Sequence, residues 1–432
     1  MLNHQQIAQN LIEFIHNSPT MFHTIKTIKS RLESKGFIPL THHTKWELKK
    51  GGKYYLTSNE SALIAFVINT DFPETEGFRM IGAHTDVPGF RIKPSPEMEK
   101  ENYLTLNTEV YGGPILSTWF DRPLSIAGRV SYATDHILYP EYILVDFKDP
   151  IAIIPNLAIH MNRDVNTGIN LNKQKDTLPI VKIIEDQLDK NYIKNMVAKQ
   201  AGISTDQTLD VDLFLYPTEK GSLVGSDKEL ISCPRLDDLA MVYSGIEALL
   251  SAKHSSGINM MICFDNEEIG SRTKQGADSP FLSTTLERIL IAMNKSKEDF
   301  YRAIARSFLI SADMAHAYHP NYPEKQDPTN TVLPGKGPAI KVNANQNYTT
   351  DSDSYVVFSN LCEKARVPHQ VFVNRSDERG GSTIGPVSAA HIAVRSLDIG
   401  APMLSMHSSR ELMAAKDLAY TFKAFKTFYE IE

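Results

Sequence analysis

Apolar residues recur along this chain in two patterns, one with helical spacing and one in short continuous runs. Helical spacing predicts a helix over residues 6–15 and a second one that starts at Ser18-Pro19, where serine suits the N-cap and proline the first helical position. A further helix is predicted to begin with Asp237 as its N-cap. The apolar positions that define these helices are Ile7, Leu11, Ile12, Ile15, Phe22, Ile25, Ile28, Leu32, Leu239, Val242, Ile246 and Leu249.

The continuous apolar runs predict buried strands, in two groups separated by a stretch of different character. Between Pro94 and about Ser226 the segments are short and alternating, and a charged helical stretch is expected around Lys182–Lys199. This middle region is predicted to be an inserted domain with its own β-rich core. Around it, alternating strands and helices predict an α/β fold. The predicted strands of that fold cover residues 61–68, 78–83, 258–264, 308–311, 371–373 and 403–406.

Size and composition restrict the class of protein without changing this picture. A chain of 432 residues is long for one compact unit, and 42% hydrophobic with 22% charged residues is ordinary for a globular protein. The net charge of −6, without a basic run, argues against a nucleic-acid partner, and the apolar runs are too short to predict a membrane span. The polar N-terminus does not resemble a secretory signal, and the three cysteines lack metal-ligand spacing. We therefore expect a cytoplasmic protein.

Four of the predicted strands end in residues that can bind a metal ion. They are followed by His84, by the adjacent pair Glu267-Glu268, by Asp313 and by His407. Because open α/β sheets place their sites at the carboxyl ends of strands, we expect these side chains to meet at one edge of one sheet. Taken alone, the glutamate pair is typical of a solvated acidic turn, and each histidine of a structural residue at a strand end. Their recurrence after four strands favours a metal site.

Together with Asp237, the two histidines, Asp313 and one glutamate of the pair amount to the ligand set of a paired metal site. Two imidazoles and three carboxylates suit Zn²⁺ and also admit Mn²⁺ or Co²⁺. Asp86 follows His84 on the same strand face and is expected to accept the N–H of its other ring nitrogen. Glu267 is then left as a general base, since neighbouring residues on an extended segment point in opposite directions. The helix-borne His-Glu-x-x-His zinc motif is absent from the sequence.

The chain resembles the M18 family of metalloaminopeptidases, the group that includes aspartyl aminopeptidase. The resemblance covers essentially the whole chain, since its matching segments follow one another in the family's order. These segments are GAHTD (82–86), TWFDR (118–122), NLAIH (156–160), PRLD (234–237), NEEIGS (266–271), ADMAHA (312–317), KVN (341–343), GSTIGP (381–386) and MHS (406–408).

The resemblance implies a role for each residue of the predicted metal site. The implied ligands are His84, Asp237 and Asp313 for one zinc ion and Asp237, Glu268 and His407 for the other, with Asp237 bridging the two. Glu267 would take a proton from the attacking water and deliver it to the leaving amine. Asp86 would orient the ring of His84.

The resemblance also implies an architecture and an assembly. A metal-dependent exopeptidase-type α/β/α catalytic domain would comprise residues 1–91 and 230–432, with an inserted β-rich dimerisation domain over residues 92–229. Family members assemble from dimers into a tetrahedral dodecamer that encloses its active sites. His160, in the insert, matches a residue that reaches into the site of a neighbouring subunit, where it would help to stabilise the oxyanion.

On the substrate side, the resemblance implies hydrolysis of the N-terminal residue of peptides, with a preference for aspartate and glutamate. Lys341 and His316 match positions that face an acidic first residue, Tyr348 matches one near the reacting carbonyl, and Gly381 would let backbone approach the substrate closely. At Asp238 the chain departs from the family's usual asparagine, and this extra carboxylate either raises metal affinity or points away. A broad-specificity aminopeptidase, a dipeptidase or deacetylase on the same scaffold, and a non-catalytic shell protein remain alternatives.

Overall fold

The computed structural model describes residues 3–185, 187–205, 209–378 and 380–432, and its helices and strands lie within those ranges. The strands are β1 (Ile38–Pro39), β2 (Lys53–Ser58), β3 (Ala62–Ile68), β4 (Phe78–His84), β5 (Gly89–Lys100), β6 (Tyr103–Tyr111), β7 (Leu124–Tyr132), β8 (Glu141–Asp146), β9 (Ile180–Ile183), β10 (Leu209–Pro217), β11 (Ser222–Val224), β12 (Leu230–Cys233), β13 (Ile258–Phe264), β14 (Phe308–Ala312), β15 (Ala315–His316), β16 (Ala339–Val342), β17 (Gln370–Val373), β18 (Arg395–Gly400), β19 (Pro402–Leu404) and β20 (Glu411–Ala414). The helices are α1 (His4–His16), α2 (Met21–Glu33), α3 (Pro73–Glu76), α4 (Tyr192–Ala201), α5 (Leu236–Ser251), α6 (Phe281–Ala292), α7 (Lys297–Ala305), α8 (Ser352–Ala365), α9 (Ile384–His391) and α10 (Ala415–Glu430).

A nine-stranded sheet, in the order β1-β2-β3-β13-β4-β14-β18-β16-β17, separates two apolar cores. Strands β13, β4, β14 and β18 run parallel, and β3 and β16 join them antiparallel. Alternate residues of β13 point to opposite faces, so Met261 and Cys263 pack with α1, α5, α8 and α10, whereas Met260 and Ile262 pack with α6, α7 and α9. Helices therefore cover both faces of the sheet, which confirms the predicted α/β/α class.

A second sheet of six antiparallel strands, in the order β8-β7-β10-β5-β6-β9, has a separate core. That core includes Phe90, Trp119 and Leu213, and Val197 of α4 packs into it. The strands of this sheet lie between residues 89 and 217, within and slightly before the region predicted as an insert. Strand β11 instead pairs with β12 in a third sheet. Within the described residues, no helix combines the length and apolar character needed to cross a bilayer.

The predicted start of the second helix is wrong by two residues. Helix α2 begins at Met21, with Thr20 at the N-cap position, rather than after Ser18. The reason is that the Ser18 N–H donates to the carbonyl oxygen of Ile15, at 3.0 Å, and so completes the end of α1. Pro19 then lies in the connection between the two helices.

Two further element predictions need correction. Asp237 is not the N-cap, since Arg235 occupies that position before a kink. Asp237 (φ −80°, ψ 109°) and Asp238 (φ −116°, ψ 21°) both have non-helical dihedral angles, so the regular part of α5 begins only after them. The charged helix expected around Lys182–Lys199 is shorter, since the first part of that stretch pairs with β6 as β9 and the helix α4 starts only at Tyr192. Asp186, in the same stretch, lies outside the described residues.

His23 on α2 is expected to make folding sensitive to acid. The side chain is buried, and its Nδ1 lies 2.9 Å from the hydroxyl oxygen of Thr20. Burial lowers the pKa of the imidazole from its usual 6.5 to about 4. The unfolded chain therefore binds a proton more readily, so the contribution of His23 to the free energy of unfolding is complete above pH 6.5 and is lost as the pH falls towards 4.

This loss should amount to about 3 kcal/mol. Urea unfolding of the wild type and of His23→Gln at several pH values between neutral and acid measures it. The variant, which cannot titrate at this position, should lack that part of the fall in unfolding free energy. The same pH dependence in both proteins would contradict the prediction.

Candidate metal centre

Three of the four strand ends singled out in the sequence meet at one edge of the nine-stranded sheet. His84 is the last residue of β4, Glu267 and Glu268 lie in a short 3₁₀ turn after β13, and Asp313 directly follows β14. Since β13, β4 and β14 are neighbouring parallel strands, their carboxyl ends lie side by side. The sequence pattern was sufficient to place these residues together.

His407 reaches the same place from a different sheet. The apolar run 403–406 supplies only two residues to β19, which belongs to a five-stranded sheet of order β11-β12-β20-β19-β15. The strand that lies beside β14 is β18, which the sequence patterns did not single out. The prediction of one common sheet edge is therefore wrong for His407, because an apolar run indicates burial but not the sheet in which it pairs.

The Asp237 carboxylate lies between the two histidines. Its Oδ1 is 3.5 Å from Nε2 of His84, and its Oδ2 is 3.4 Å from Nε2 of His407. Asp313 Oδ1 lies 4.0 Å from the same nitrogen of His84, and Glu268 Oε1 lies 3.4 Å from that of His407. Potential ligand atoms within 4.8 Å of one another form three compact groups among the described residues. Two of them share this aspartate: His84, Asp237, Asp238 and Asp313 in one, and Asp237, Glu268 and His407 in the other. The third consists of His84, Glu267 and Glu268.

The donor atoms of these groups fit divalent cations. Asp237 Oδ1 and Glu268 Oε1 are buried and have no hydrogen-bond partner among the described residues. Burial, reinforced by the Asp237 carboxylate, raises the pKa of Glu268 well above its usual range. Burial alone would lower the pKa of His407, but its attraction to the carboxylates of Asp237 and Glu268 outweighs burial and raises that pKa to about 10. A buried group of carboxylates at this density requires nearby positive charge, which metal ions supply.

Glu267 faces the space in which a substrate would lie. It lines a cavity of about 310 Å³ together with the ligand atoms just described. Burial raises the pKa of its carboxyl from 4.5 to about 8, and the neighbouring Asp313 and Asp86 carboxylates act in the same direction. Cations bound by the neighbouring residues would lower this pKa again, and a carboxyl group next to the cavity could then take up a proton and release it, as a general base must.

Asp86 holds the backbone of both glutamates. Its Oδ1 accepts the N–H of Glu267 at 3.0 Å, and its Oδ2 accepts the N–H of Glu268 at 3.1 Å. The ring Nδ1 of His84 lies 3.0 Å from the Asp86 carbonyl oxygen and 3.5 Å from its carboxylate. The expected contact with His84 is thus made mainly through the carbonyl group, because the carboxylate already accepts the two N–H groups.

The end of β6, in the second sheet, also reaches the centre. Tyr111 donates its O–H to Oδ2 of Asp86 at 2.8 Å, and the Gly113 carbonyl oxygen lies 3.1 Å from Nδ1 of His407. Gly112 has φ +66°, and a Cβ there would lie 3.1 Å from the Cβ of Glu268, so both its conformation and the close approach favour glycine. The glycine pair was visible in the sequence, but its proximity to the centre was not.

The extra carboxylate of Asp238 does not simply point away from the centre. Its Oδ2 accepts the backbone N–H of His84 at 3.1 Å, so it anchors the end of β4. Its Oδ1 is buried without a hydrogen-bond partner among the described residues. Burial raises the pKa of this carboxyl well above its usual range.

The four residues expected to bind substrate on this face line the same cavity: His316, Lys341, Tyr348 and Gly381. Lys341 is only 3% exposed, and its Nζ lies 3.2 Å from Oδ2 of Asp313 and 5.5 Å from the centre of the Tyr348 ring. Burial alone would lower the pKa of Lys341, but the Asp313 carboxylate outweighs it and raises that pKa, so the ammonium stays charged. A buried cation therefore lies between a candidate ligand and the cavity.

His160 lies apart from the centre of its own chain. It is exposed on a 3₁₀ turn (Ile159–Met161) and is not among the described residues that line the cavity. The apolar residues around it are also exposed, with Leu157 at 53%, Ile159 at 46% and Met161 at 70%. The turn thus presents His160 within an apolar surface.

Two buried carboxylates near the centre were missed in the sequence. Asp398 on β18 accepts the N–H and O–H of Thr349 and the O–H of Thr383, and so joins two loops that line the cavity. Glu411 accepts backbone N–H groups of two candidate ligands. An acidic residue within or next to an apolar run was the only available signal, and it does not distinguish these residues from surface positions.

Comparison with known proteins supplies a family for this arrangement. The family model described as aminopeptidase I zinc metalloprotease (M18) matches residues 14–429. A probable M18 family aminopeptidase 2 of Clostridium novyi is 54% identical over 433 residues, which cover 100% of both chains.

Solved structures agree over nearly the whole chain. A chain in the cryo-EM structure of the Ape4 and Nbr1 complex matches with a TM-score of 0.94 at 36% identity, covering 99% of this chain and 86% of that one. A chain of the mApe1 dodecamer of S. cerevisiae matches with a TM-score of 0.86 at 28% identity, covering 99% of this chain and 97% of that one.

Proposed function

Because the chain belongs to the M18 family of zinc metalloproteases and is a metalloaminopeptidase, we propose that it removes the N-terminal residue of peptides at a centre of two zinc ions, with a preference for aspartate and glutamate. The observation that carries this proposal is the Asp237 carboxylate, whose two oxygens face the rings of His84 and His407. A carboxylate in that position suits a bridge between two cations. Co²⁺ and Mn²⁺ are proposed as substitutes, since imidazole and carboxylate ligands admit both.

The proposed ligands belong to the two groups of donor atoms that contain Asp237. His84, Asp237 and Asp313 would hold the first ion and Asp237, Glu268 and His407 the second. The three carboxylates carry three negative charges and two dications would carry four positive ones. One further negative charge, that of a hydroxide, would therefore make the site neutral. When bound, the ions supply Lewis acidity towards the peptide carbonyl and acidify a water molecule.

The residues of the chain would handle the proton and hold the reacting groups. Glu267 takes the proton from the attacking water and delivers it to the leaving amine. Its backbone is held by the carboxylate of Asp86, so its position beside the cavity is maintained. Carboxylates near the ions would bind the free α-amine of the peptide, which limits cleavage to the first residue.

The preference for acidic residues rests on Lys341 and His316 at the cavity. The chain carries a net charge of −6, so an acidic substrate requires a local cation. Lys341 is a buried cation whose one described carboxylate contact, with Asp313, lies on the side of the ligands. A substrate carboxylate in the cavity would be a second partner for this charge, next to the ring of Tyr348.

Cleavage of matched peptides by zinc-loaded protein tests the proposal. Peptides that differ only in a first residue of Asp, Glu, Leu, Ala or Lys are compared, with an N-acetylated Asp peptide as the control for exopeptidase action. We expect fast cleavage after Asp and Glu and none of the acetylated peptide. Broad or Leu-preferring cleavage would keep the mechanism but favour the broad-specificity alternative. Absence of cleavage with both metals bound would contradict the proposed function.

Replacing Lys341 with methionine should remove the acidic preference. A hydrogen bond to a charged group contributes about 1.5–3 kcal/mol, so kcat/KM for an Asp peptide should fall by about tenfold to a hundredfold, with a smaller change for an Ala peptide. Lys325→Met, at an exposed lysine in a neighbouring cavity, is the matched control and should have no such effect. Metal content must be measured too, because Lys341 also contacts Asp313. Equal losses for both peptides would argue against a role in specificity.

We further propose that the protein works as a homo-oligomer in the cytoplasm. The apolar turn around His160 is exposed in a single chain, as expected of a surface that another subunit covers. A tetrahedral dodecamer built from dimers would enclose the sites. All three cysteines are buried and unpaired, which suits a reducing compartment.

A further inference from the structure

The five-stranded sheet brings the segments that carry Asp237 and His407 to one point. Strand β20 lies between β12, which leads into the segment of Asp237, and β19, which leads into that of His407. Glu411 is the first residue of β20, and it pairs with Cys233 at the end of β12. The side chain of Glu411 is therefore next to both segments at the point where they leave the sheet.

A single carboxylate holds the backbone of both candidate ligands. Glu411 Oε1 accepts the N–H of His407 at 2.8 Å, and its Oε2 accepts the N–H of Asp237 at 3.1 Å. Glu411 is only 2% exposed, so water does not compete for these hydrogen bonds. Because each oxygen accepts one N–H, the carboxylate sets the separation of two chain segments that are distant in sequence.

The two segments need such an anchor. His407 has φ +66°, a left-handed conformation that disfavours residues with a Cβ, and Asp237 has non-helical dihedral angles at the start of α5. Neither conformation is imposed by a regular helix or strand. The ring of His407 is oriented by the Gly113 carbonyl oxygen, but its backbone is held by Glu411.

The anchors of the other ligands differ from this one. The N–H of His84 donates to Asp238, and the N–H of Asp313 donates to the Ile399 carbonyl oxygen. When Glu411 is changed, the first group of ligands therefore keeps two members whose N–H groups are hydrogen-bonded, whereas in the second group only the N–H of Glu268 remains so. The carbonyl oxygen of His407 still accepts the N–H of Ile115, at 2.9 Å. Loss of Glu411 should act mainly on the second group.

We propose that Glu411 is a positioning residue that holds Asp237 and His407 at the separation needed for the second metal ion. The inference rests on the proposed function, since it presupposes two ions per subunit. Glutamine at this position has the same shape but presents an amide N–H₂ to one of the two N–H donors, so one hydrogen bond is lost. Changes in residues that orient metal ligands typically weaken metal binding by about 10–100-fold.

Calorimetric titration of the metal-free protein with Zn²⁺ tests the inference, for the wild type and for Glu411→Gln. We expect the affinity for the second equivalent to fall by about tenfold to a hundredfold, with a smaller change for the first. The absorption spectrum of the Co²⁺-loaded protein should show the same selective loss. Unchanged affinities for both equivalents in Glu411→Gln would overturn the inference.

Asp417→Asn is the matched control for loss of a buried carboxylate. Asp417 on α10 is also fully buried and accepts two backbone N–H groups, from Gly335 at 2.6 Å and from Gly337 at 2.7 Å, outside the metal centre. This variant should lower thermal stability without changing either zinc affinity. If Asp417→Asn weakens binding of the second zinc equivalent as much as Glu411→Gln does, the effect is one of general stability and the inference fails.

Two further outcomes separate this inference from the proposed function. A wild type that binds one zinc ion or none would contradict the two-zinc proposal, and the inference with it. A wild type that binds two, with unchanged binding in the variant, would overturn only the role of Glu411. If Glu411→Gln does not fold, Glu411→Asp carries the same expectation, since the shorter side chain cannot reach both N–H groups. Failure of both variants to fold would assign Glu411 to sheet stability instead.

Discussion

Glu267→Gln is expected to bind both metal ions and to lose turnover by about 10²–10⁴-fold, the usual contribution of general acid–base catalysis. The side chain of Glu267 lines the cavity, and burial raises the pKa of its carboxyl to about 8. Glutamine has nearly the same shape and keeps the backbone N–H that donates to Asp86. It cannot take up a proton, however, so kcat should fall while KM and metal content stay close to those of the wild type.

The neighbouring Glu268→Gln is the control, because it is the same substitution one residue along the chain. Glu268 Oε1 lies 3.4 Å from Nε2 of His407 and has no hydrogen-bond partner among the described residues. We expect this variant to lose one metal ion, whereas Glu267→Gln retains two. Metal analysis and single-turnover kinetics on both variants distinguish the role of general base from that of metal ligand. Equal metal content in the two variants would contradict the assigned roles.

His160→Ala is expected to lower kcat by about 10²–10³-fold in the assembled enzyme, the usual cost of removing one donor to a developing oxyanion. The structure leaves His160 exposed and outside the described lining of the cavity of its own chain, so the expected role is one exerted in a neighbouring subunit. Met161→Glu, which places a charge on the adjacent apolar surface, should dissociate the assembly and lower activity similarly. A dissociated variant with full activity would contradict the prediction.

Mixing two inactive variants tests the transfer between subunits directly. In a mixed pair of His160→Ala and Glu267→Gln subunits, one site would have both an intact Glu267 and an intact His160 from the partner. Random assortment into symmetric dimers should therefore restore roughly a quarter of the wild-type activity. The control mixes His160→Ala with subunits that carry both substitutions, which should restore nothing because no subunit then supplies His160. Failure of the first mixture to gain activity would show that His160 does not act across a subunit boundary.

Much of the site was predictable because it follows buried parallel strands. A continuous apolar run that ends in a polar residue identifies both the strand and the edge at which it stops, as for His84, Glu268 and Asp313. The residues of the substrate side were different. His316, Lys341 and Tyr348 have no pattern of their own in a single sequence, and only the family resemblance indicated them.

The fold class, the three strand ends and the residue types suited to a metal centre could be predicted from the amino-acid pattern, because they depend on local periodicity and on chemistry. The folded chain was needed to show that β19 belongs to another sheet, that Asp86 holds two backbone N–H groups, and that Glu411 joins the segments of Asp237 and His407. Such contacts join residues far apart in the chain through single hydrogen bonds. They leave no periodic signal, since they depend on how whole sheets pack rather than on neighbouring residues.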